Sequence, residues 1–247
     1  MQNERKCYNC MKILAISPTF NEVKNIKNHI DKIYSLNEEL SILIIDDSSP
    51  DGTALVVKEQ QKIHDNLFLI ERPCKQGLGT AYVKGFEWAI QNSFDYIIQI
   101  DADMSHDASA IPNMIEKMND YDFIVGSRYC NGINVVNWPL RRLFLSYFAN
   151  TYARILTGVK IKDLTSGYNC FKTAIIKDID YNKITSQGYA FQIELKYLAY
   201  RKKYSIIEHP IIFHDRTVGQ SKMSKQIIFE AIFKVIYMKL KSILRII

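Results

Sequence analysis

Short apolar runs alternate with amphipathic segments along the first half of the chain, and this alternation constrains the fold more than any other feature. The runs at 41–45 and 96–100 are rich in Ile and too apolar for half-exposed strands, so they predict buried strands. The segment at 23–36 carries apolar residues at helical spacing. Strands that alternate with helices through short connections form parallel sheets with right-handed crossovers. We therefore predict an α/β fold, with a mostly parallel sheet flanked by helices.

Polar loops follow three of the predicted strands. These loops are PTFNE (18–22), DDSSPDGT (46–53) and DADMSH (101–106). In open α/β sheets, ligands bind outside the carboxyl ends of the strands, near the point where the strand order switches. We therefore expect one crevice to collect all three loops.

Asp101 and Asp103 lie one residue apart, directly after a buried strand. Two carboxylates at such a position need a cation, because desolvating an unpaired anion is costly. A divalent metal that also holds a phosphate satisfies this need. The alternative is a polar turn in which Asp103 caps the helix that begins near Pro112.

Two further acidic and glycine-containing segments permit more than one interpretation. Asp46 and Asp47 either form an Asx-type turn, or one of them accepts hydrogen bonds from a nucleobase or ribose. The segment 77–79 lacks the third glycine of the dinucleotide-binding fingerprint. Gly77 and Gly79 are therefore interpreted as letting the backbone pass close to a ligand or a neighbouring strand.

Basic residues in the second half of the chain are candidates for holding phosphates. Arg216 and Lys222 flank Gly219, a composition that fits either a diphosphate clamp or a solvated basic loop. Arg128 follows the predicted strand at 122–126, and its alternative role is to pair with a surface acid.

The positive charge is concentrated near the C-terminus. The net charge is +6, and residues 216–247 contain seven Lys or Arg against one acid, Glu230. Segment 225–247 mixes aliphatic with basic residues, which is typical of an amphipathic helix on an anionic membrane surface. The stretch 138–147 is either a second interfacial contact or an ordinary core-facing helix. Because the basic residues accompany aliphatic rather than aromatic ones, nucleic-acid binding is disfavoured.

Other features bear on the location of the protein. No uncharged apolar run reaches 18 residues, so no transmembrane helix is predicted. The five cysteines are scattered, which suits reduced thiols in a cytosolic setting. We expect a peripheral protein on the cytoplasmic face of a membrane.

Eight motifs occur in an order that resembles a known family. They are PTFNE (18–22), IIDDSSPDGT (44–53), GLGTAY (77–82), DADMSH (101–106), GSRY (126–129), WPLRRLFLS (138–146), DLTSGY (163–168) and DRTVGQSKM (215–223). Together they resemble the dolichyl-phosphate or polyprenyl-phosphate mannosyltransferases, which belong to the large family 2 of inverting glycosyltransferases with a GT-A fold. The resemblance covers residues 12–225. Phe20 replaces a common Tyr and Ser48 a more usual Gly.

The resemblance implies a domain division and a set of site residues. It divides the chain into an N-terminal tail (1–11), a GT-A catalytic domain (12–224) and a basic amphipathic membrane-associating tail (225–247). The nucleotide sugar would contact Pro18, Phe20, Glu22, Ile45, Asp47, Asp101, Ala102, Asp103, Arg128, Arg216 and Lys222, of which Asp103, Arg128, Arg216 and Lys222 would be catalytic. The metal, Mg²⁺ or Mn²⁺, would be held by Asp101, Asp103 and Ser105, and the lipid phosphate by Arg142 and Ser146.

The resemblance also implies a reaction. A phosphate oxygen of dolichyl or another polyprenyl phosphate would attack the anomeric carbon of GDP-mannose, and GDP would leave with inversion. A phosphate monoester is already anionic near neutral pH, so no strong general base is expected, and His106 is the one histidine in an obvious motif. The need for a membrane-anchoring subunit stays open. The alternatives are a polyprenyl-phosphate glucosyltransferase that uses UDP-glucose, and a non-catalytic nucleotide-sugar-binding or membrane-scaffolding protein.

Overall fold

A computed structural model describes residues 11–184, 186–215 and 225–243, apart from the side chains of 225–231, 242 and 243. The strands are β1 (Ile13–Thr19), β2 (Ser41–Asp46), β3 (Leu67–Glu71), β4 (Tyr96–Gln99), β5 (Phe123–Ser127), β6 (Val135–Val136), β7 (Asn169–Lys172), β8 (Ile206–Pro210) and β9 (Phe213–His214). The helices are α1 (Ile26–Leu36), α2 (Thr53–Gln61), α3 (Leu78–Gln91), α4 (Ile111–Lys117), α5 (Leu140–Thr157), α6 (Thr173–Asp178), α7 (Gly188–Arg201) and α8 (Lys225–Ile243). The alternation predicted for the first half of the chain is confirmed.

Seven strands form one sheet in the order β3-β2-β1-β4-β7-β5-β8. All neighbouring strands run parallel except β7, which is antiparallel to both β4 and β5. The sequence predicted a strand near the end of 162–171 but not its direction. The predicted strand at 205–213 is divided, since β8 ends at Pro210 and β9 pairs with β6 outside the main sheet.

The sheet is covered by apolar side chains on both faces. Along β2, Leu43 and Ile45 enter one buried cluster, while Ile42 and Ile44 enter the other. This division follows from the two-residue repeat of a strand. A sheet buried on both faces explains why its strands are continuously apolar rather than alternating.

Helix α8 packs on the domain. Val235 is 0% exposed and Met238 is 2% exposed, and both belong to the same apolar cluster as the sheet. The predicted tail therefore contributes to the core, while the proposed domain boundaries stay a prediction. None of the helices in the described ranges combines the length and hydrophobicity that a membrane span requires.

Candidate active site

A cleft of about 520 Å³ opens at the carboxyl ends of β1, β2 and β4. Seven residues predicted to contact a nucleotide sugar line it: Pro18, Phe20, Glu22, Asp47, Asp101, Ala102 and Asp103. They converge because β1 lies between β2 and β4 and is parallel to both. The structure therefore places the three polar loops in one crevice.

The two neighbouring aspartates after β2 have different surroundings. Asp46 is buried and accepts hydrogen bonds from Thr19 Oγ1 (2.8 Å) and from Ser49 N and Oγ (2.8 and 2.6 Å). Asp47 lines the cleft and is paired with Arg72. Asp46 thus stabilises the turn, and Asp47 is the carboxylate that faces the cleft.

Arg72 organises this end of the cleft and was not identified from the sequence. Besides Asp47, it donates hydrogen bonds to Thr80 Oγ1 (2.7 Å) and to Gly77 O (3.1 Å). It thereby connects the end of β2 to the start of α3. Arg72 directly follows β3, so an arginine at a strand end was the available signal.

Gly77 and Gly79 let the start of α3 approach the loop before α7. A Cβ on Gly79 would lie 2.4 Å from the backbone oxygen of Ser186, and Gly79 N donates to Gln187 Oε1 (3.0 Å). The close neighbour within the protein is therefore this loop and not a strand. Both Gly77 and Gln187 also line the cleft.

Asp103 faces the cleft and does not cap a helix. Its Oδ1 accepts hydrogen bonds from Ser105 N (3.0 Å) and Ser105 Oγ (2.6 Å). Asp107 instead accepts from Ser109 N (3.0 Å) and caps the short turn before α4. The helix-cap alternative for Asp103 is therefore wrong. Ser105, predicted as a metal ligand, contacts Asp103 in this structure.

The donor set of the cleft fits a metal that is shared with a phosphate. Among the described residues, no group of three or more His, Cys, Asp or Glu could hold a metal. Mg²⁺ is commonly bound by one or two carboxylates together with substrate phosphates and water. Asp101 and Asp103 provide two carboxylates. A Cβ on Gly167 would lie 3.8 Å from Asp101 Oδ2, so the glycine keeps the space beside this carboxylate free of a side chain.

His106 is a structural residue. Its ring is buried, stacks on Tyr168 and contacts Phe213 edge-on. Burial lowers the pKa of His106, although Asp101 and Asp103 act in the opposite direction. Its Nδ1 accepts a hydrogen bond from the backbone N–H of Asp101 (3.2 Å), so the neutral ring orients the start of the acidic loop.

Arg128 lies in a second, more apolar cavity of about 280 Å³, together with Arg142 and Ser146. It does not line the first cleft. Asp163 holds its guanidinium in a forked pair (2.7 and 2.6 Å), and Thr165 accepts a third hydrogen bond (2.7 Å). This arrangement raises the pKa of Arg128 through the buried Asp163 carboxylate, despite the opposing effect of burial.

Arg142 borders both cavities. Its guanidinium lies 4.1 Å from the centre of the Trp138 ring and donates to Asp215 Oδ1 (2.7 Å). Its buried Nε has no hydrogen-bond acceptor within the described part of the chain. Ser146 Oγ accepts a hydrogen bond from Tyr129 (2.8 Å).

Two residues predicted to contact a nucleotide sugar, Ile45 and Arg128, do not line this cleft. The side chain of Ile45 is completely buried in the core and would touch a Cβ on Gly85, so it does not reach the cleft. Arg216 and Lys222 lie outside the described residues. Conversely, the cleft is also lined by side chains that were not predicted, among them Lys75, Gln187, Tyr189 and Gln192, which come from loops or from α7. Lys75 lies 4.2 Å from the centre of the Phe20 ring.

Lys196 is wholly buried on α7, behind the loop that follows Asp163. Its Nζ donates to Ser166 O (2.7 Å). Burial lowers the pKa of Lys196 to about 7, and Asp163 opposes this effect. The folded protein therefore loses this proton at a much lower pH than an unfolded chain does.

This difference predicts a pH-dependent stability. Between about pH 7 and pH 10 the unfolded state binds a proton that folded Lys196 has lost, so the free energy of unfolding rises with pH. Urea denaturation should show that wild type gains stability relative to Lys196→Met between about pH 7 and pH 10. Lys84→Met, at an exposed ion pair with Glu87, is the control and should follow the wild-type profile. Parallel profiles for wild type and Lys196→Met would contradict the assignment.

Residues 15–180 match the model of glycosyl transferase family 2. The chain is 39% identical over 224 residues to polyprenol monophosphomannose synthase of Mycolicibacterium smegmatis, covering 90% of this chain and 84% of that protein. It is 34% identical over 225 residues to undecaprenyl-phosphate mannosyltransferase of Micrococcus luteus, covering 91% and 93%.

Solved structures share the fold at low sequence identity. Glucosyl-3-phosphoglycerate synthase from Mycobacterium tuberculosis, in complex with Mn²⁺, UDP and phosphoglyceric acid, superposes with a TM-score of 0.65 at 15% identity, covering 95% of this chain and 78% of that one. A mannosyltransferase from Pyrobaculum calidifontis, in complex with GDP-Man and Mn²⁺, gives 0.56 at 14%, covering 94% and 73%. With the family match over most of the chain, these likenesses lead to one conclusion. The protein belongs to glycosyl transferase family 2 and is a glycosyltransferase with a GT-A-like fold.

Proposed function

We propose that this enzyme transfers mannose from GDP-mannose to a polyprenyl phosphate, with inversion at the anomeric carbon. The observation that carries the proposal is the pair of adjoining cavities. One is lined by carboxylates at the strand ends, and the other is apolar and contains two arginines. Both cavities include Arg142, Thr165 and Tyr189 in their lining, so a sugar in the first can face a phosphate in the second.

The first cavity suits the nucleotide sugar. Asp47, held by Arg72, offers carboxylate oxygens to a base or ribose, and Asp101 and Asp103 offer ligands for Mg²⁺ or Mn²⁺ near the diphosphate. Such a metal would neutralise charge that develops on the leaving GDP. The two relatives, named as a monophosphomannose synthase and a mannosyltransferase, support mannose as the sugar. The Pyrobaculum neighbour, crystallised with GDP-Man, supports GDP as the nucleotide.

The second cavity suits the lipid phosphate. Its apolar lining can accommodate the first units of a prenyl chain, while Arg142 and Arg128 attract the phosphate and Ser146 offers a hydroxyl. The nucleophile is already an anion, so the protein needs to position two anions rather than remove a proton. The buried, neutral His106 is consistent with a reaction that uses no histidine base.

The neighbouring helices α5 and α8 support attachment to a membrane surface. Tyr152 OH on α5 donates to Ile232 O on α8 (3.0 Å), so the two helices lie side by side. Both expose large apolar side chains: Leu140, Phe144, Tyr147, Phe148 and Ile155 on α5, and Phe233, Ile236, Tyr237 and Leu240 on α8. Lys234 and Lys241 lie near the Tyr237 ring. Aromatic and basic residues together favour an anionic lipid interface.

Replacing Phe233 and Tyr237 with serine should weaken binding to vesicles of anionic phospholipid roughly tenfold or more, because each exposed aromatic side chain would lose its apolar contact. Co-sedimentation measures this binding. Deleting 226–247 is a poorer test, because it also removes Val235 and Met238 from the core. Ile63→Ser, at a similarly exposed residue beyond α2, is the control and should bind like wild type. Equal binding by the double variant would refute a role for α8 at the membrane.

Transfer of label from GDP-mannose to a short polyprenyl phosphate tests the proposed reaction. We expect a labelled mannolipid in the presence of Mg²⁺ or Mn²⁺, and its loss when the metal is chelated. Parallel reactions with labelled UDP-glucose test the alternative donor. Glucose transfer without mannose transfer would replace the proposal, and binding of either nucleotide sugar without transfer would favour a non-catalytic protein.

A further inference from the structure

Three buried amide side chains connect β4, β7 and α7. The amide nitrogen of Asn169 lies within hydrogen-bond distance of Gln99 Oε1 (2.8 Å), Gln192 Oε1 (3.1 Å) and Ser166 O (3.4 Å). Gln99 and Asn169 are 0% exposed, and Gln192 is 2% exposed. Of the three amides, Gln192 is the one that also lines the cleft proposed to bind the nucleotide sugar.

In the structure the amide oxygen of Gln192 faces the network and its amide nitrogen faces the space beside Gly167. Ser166 O is a backbone oxygen and can only accept, as it does from Lys196 Nζ (2.7 Å). The amide nitrogen of Asn169 donates to Gln99 Oε1 (2.8 Å) and to Gln192 Oε1 (3.1 Å), while its contact with Ser166 O is longer (3.4 Å). Gln192 Nε2, a donor of two hydrogens, is left pointing away from the network.

Gln192 Nε2 borders the space next to the predicted metal ligand. A Cβ on Gly167 would lie 3.8 Å from Gln192 Nε2 and 3.8 Å from Asp101 Oδ2, so both side chains adjoin the room that this glycine leaves open. Within the described part of the chain, this buried nitrogen has no hydrogen-bond acceptor. An unpaired buried donor is costly, and a ligand oxygen would satisfy it.

The position of Gln192 in the cleft favours a contact with the sugar rather than with the nucleotide. Pro18 lies on β1 and Asp47 directly follows β2, at the end of the cleft assigned to the nucleoside. Gln192 hydrogen-bonds Asn169 on β7, which lies on the opposite side of β4 from β1 and β2. Thr165 also lines this cleft and the second cavity. The transferred hexose must lie between the diphosphate and the acceptor. A neutral amide N–H suits a hydroxyl there, whereas the charge of a diphosphate is better matched by cations.

We infer that Gln192 donates a hydrogen bond from Nε2 to a hydroxyl group of the transferred hexose and so contributes to sugar specificity. The inference rests on the proposed function, because it assumes a nucleotide sugar in this cleft. A site built to hydrogen-bond a hydroxyl discriminates strongly against a sugar that lacks it. Gln192 would therefore contribute to binding of the sugar but not to binding of the nucleotide.

Calorimetric titration of two matched variants in the presence of Mn²⁺ tests the inference. Gln192→Met and Gln99→Met each remove one amide from the same network, but only the first removes a group that lines the cleft. We expect Gln192→Met to weaken binding of GDP-mannose about tenfold relative to wild type while binding of GDP is unchanged. Gln99→Met should bind both ligands like wild type. Equal losses for GDP and GDP-mannose, or equal effects of the two variants, would overturn the inference.

Two further measurements keep the test decisive. Gln192→Glu retains an oxygen that accepts from Asn169 but replaces the amide nitrogen that faces the cleft. It is the variant to use if Gln192→Met does not fold. The same loss of GDP-mannose binding is expected. The monodeoxy analogue of GDP-mannose that lacks the contacted hydroxyl should bind wild type and variant equally. If the variant binds every monodeoxy analogue more weakly than wild type does, a contact with a hydroxyl is excluded. If wild type binds UDP-glucose and not GDP-mannose, the proposed donor is wrong. The variants are then compared with UDP-glucose and UDP.

Discussion

Replacing Asp103 with alanine is expected to lower the rate of mannosyl transfer roughly 10³-fold while the fold remains intact. Asp103 lines the cleft at the end of β4, one residue from Asp101, and together they are the proposed ligands of the divalent metal. Loss of one of two protein ligands would remove much of the charge neutralisation at the leaving diphosphate. A loss of about 4 kcal/mol in transition-state stabilisation corresponds to this factor.

The measurement is the initial rate of label transfer at saturating Mn²⁺, together with the melting temperature. Asp107→Ala is the matched control, because Asp107 follows in the same loop, pairs with Lys32 (3.0 Å) and does not line the cleft. It should retain most of the activity. Transfer by Asp103→Ala within about tenfold of wild type would be incompatible with a metal held at this position.

Replacing Asp163 with alanine is expected to destabilise the protein by about 3–5 kcal/mol. Asp163 is completely buried and forms a forked pair with Arg128, which is also buried. Removing the carboxylate leaves a buried guanidinium whose charge is no longer compensated, and this is among the most costly single changes to a protein core. For a protein of this size, such a change lowers the melting temperature by roughly 6–20 °C.

Denaturant titration and thermal unfolding at neutral pH measure this loss. Asp31→Ala breaks a pair with Lys27 that is about half exposed on both sides, and should change the stability by less than about 1 kcal/mol. An Asp163→Ala protein as stable as the Asp31→Ala protein would show that Arg128 is solvated or has another anionic partner.

Local sequence patterns predicted the sheet well in the first half of the chain, where strands and helices alternate. The runs at 41–45 and 96–100 became β2 and β4, because Ile-rich segments with polar ends have few other ways to bury their side chains. The same logic could not place β7. A strand inserted antiparallel between β4 and β5 is decided by which edges remain available after the parallel strands pair, which is a non-local property.

The acidic loops show what the sequence could not decide about the site. Asp46 and Asp47 are adjacent in the sequence, yet Asp46 forms the turn, whereas Asp47 pairs with Arg72 and lines the cleft. The difference depends on Ser49 and Thr19 on one side and on Arg72 on the other. Because the alternation of side chains along an extended chain sends neighbours in opposite directions, only the positions of these partners reveal which aspartate faces the cleft.

The sequence by itself determined the α/β class, the convergence of polar loops at the carboxyl ends of parallel strands, and the family through its ordered motifs. These properties depend on periodicity and on residues close together in the chain. Only the tertiary structure decided that Arg128 is held by Asp163, that Lys196 is buried behind it, and that Gln192 joins Asn169 beside the cleft. These contacts join residues that lie more than 20 positions apart in the chain. Their formation depends on how the packed sheet and α7 bring distant side chains together and exclude water from them.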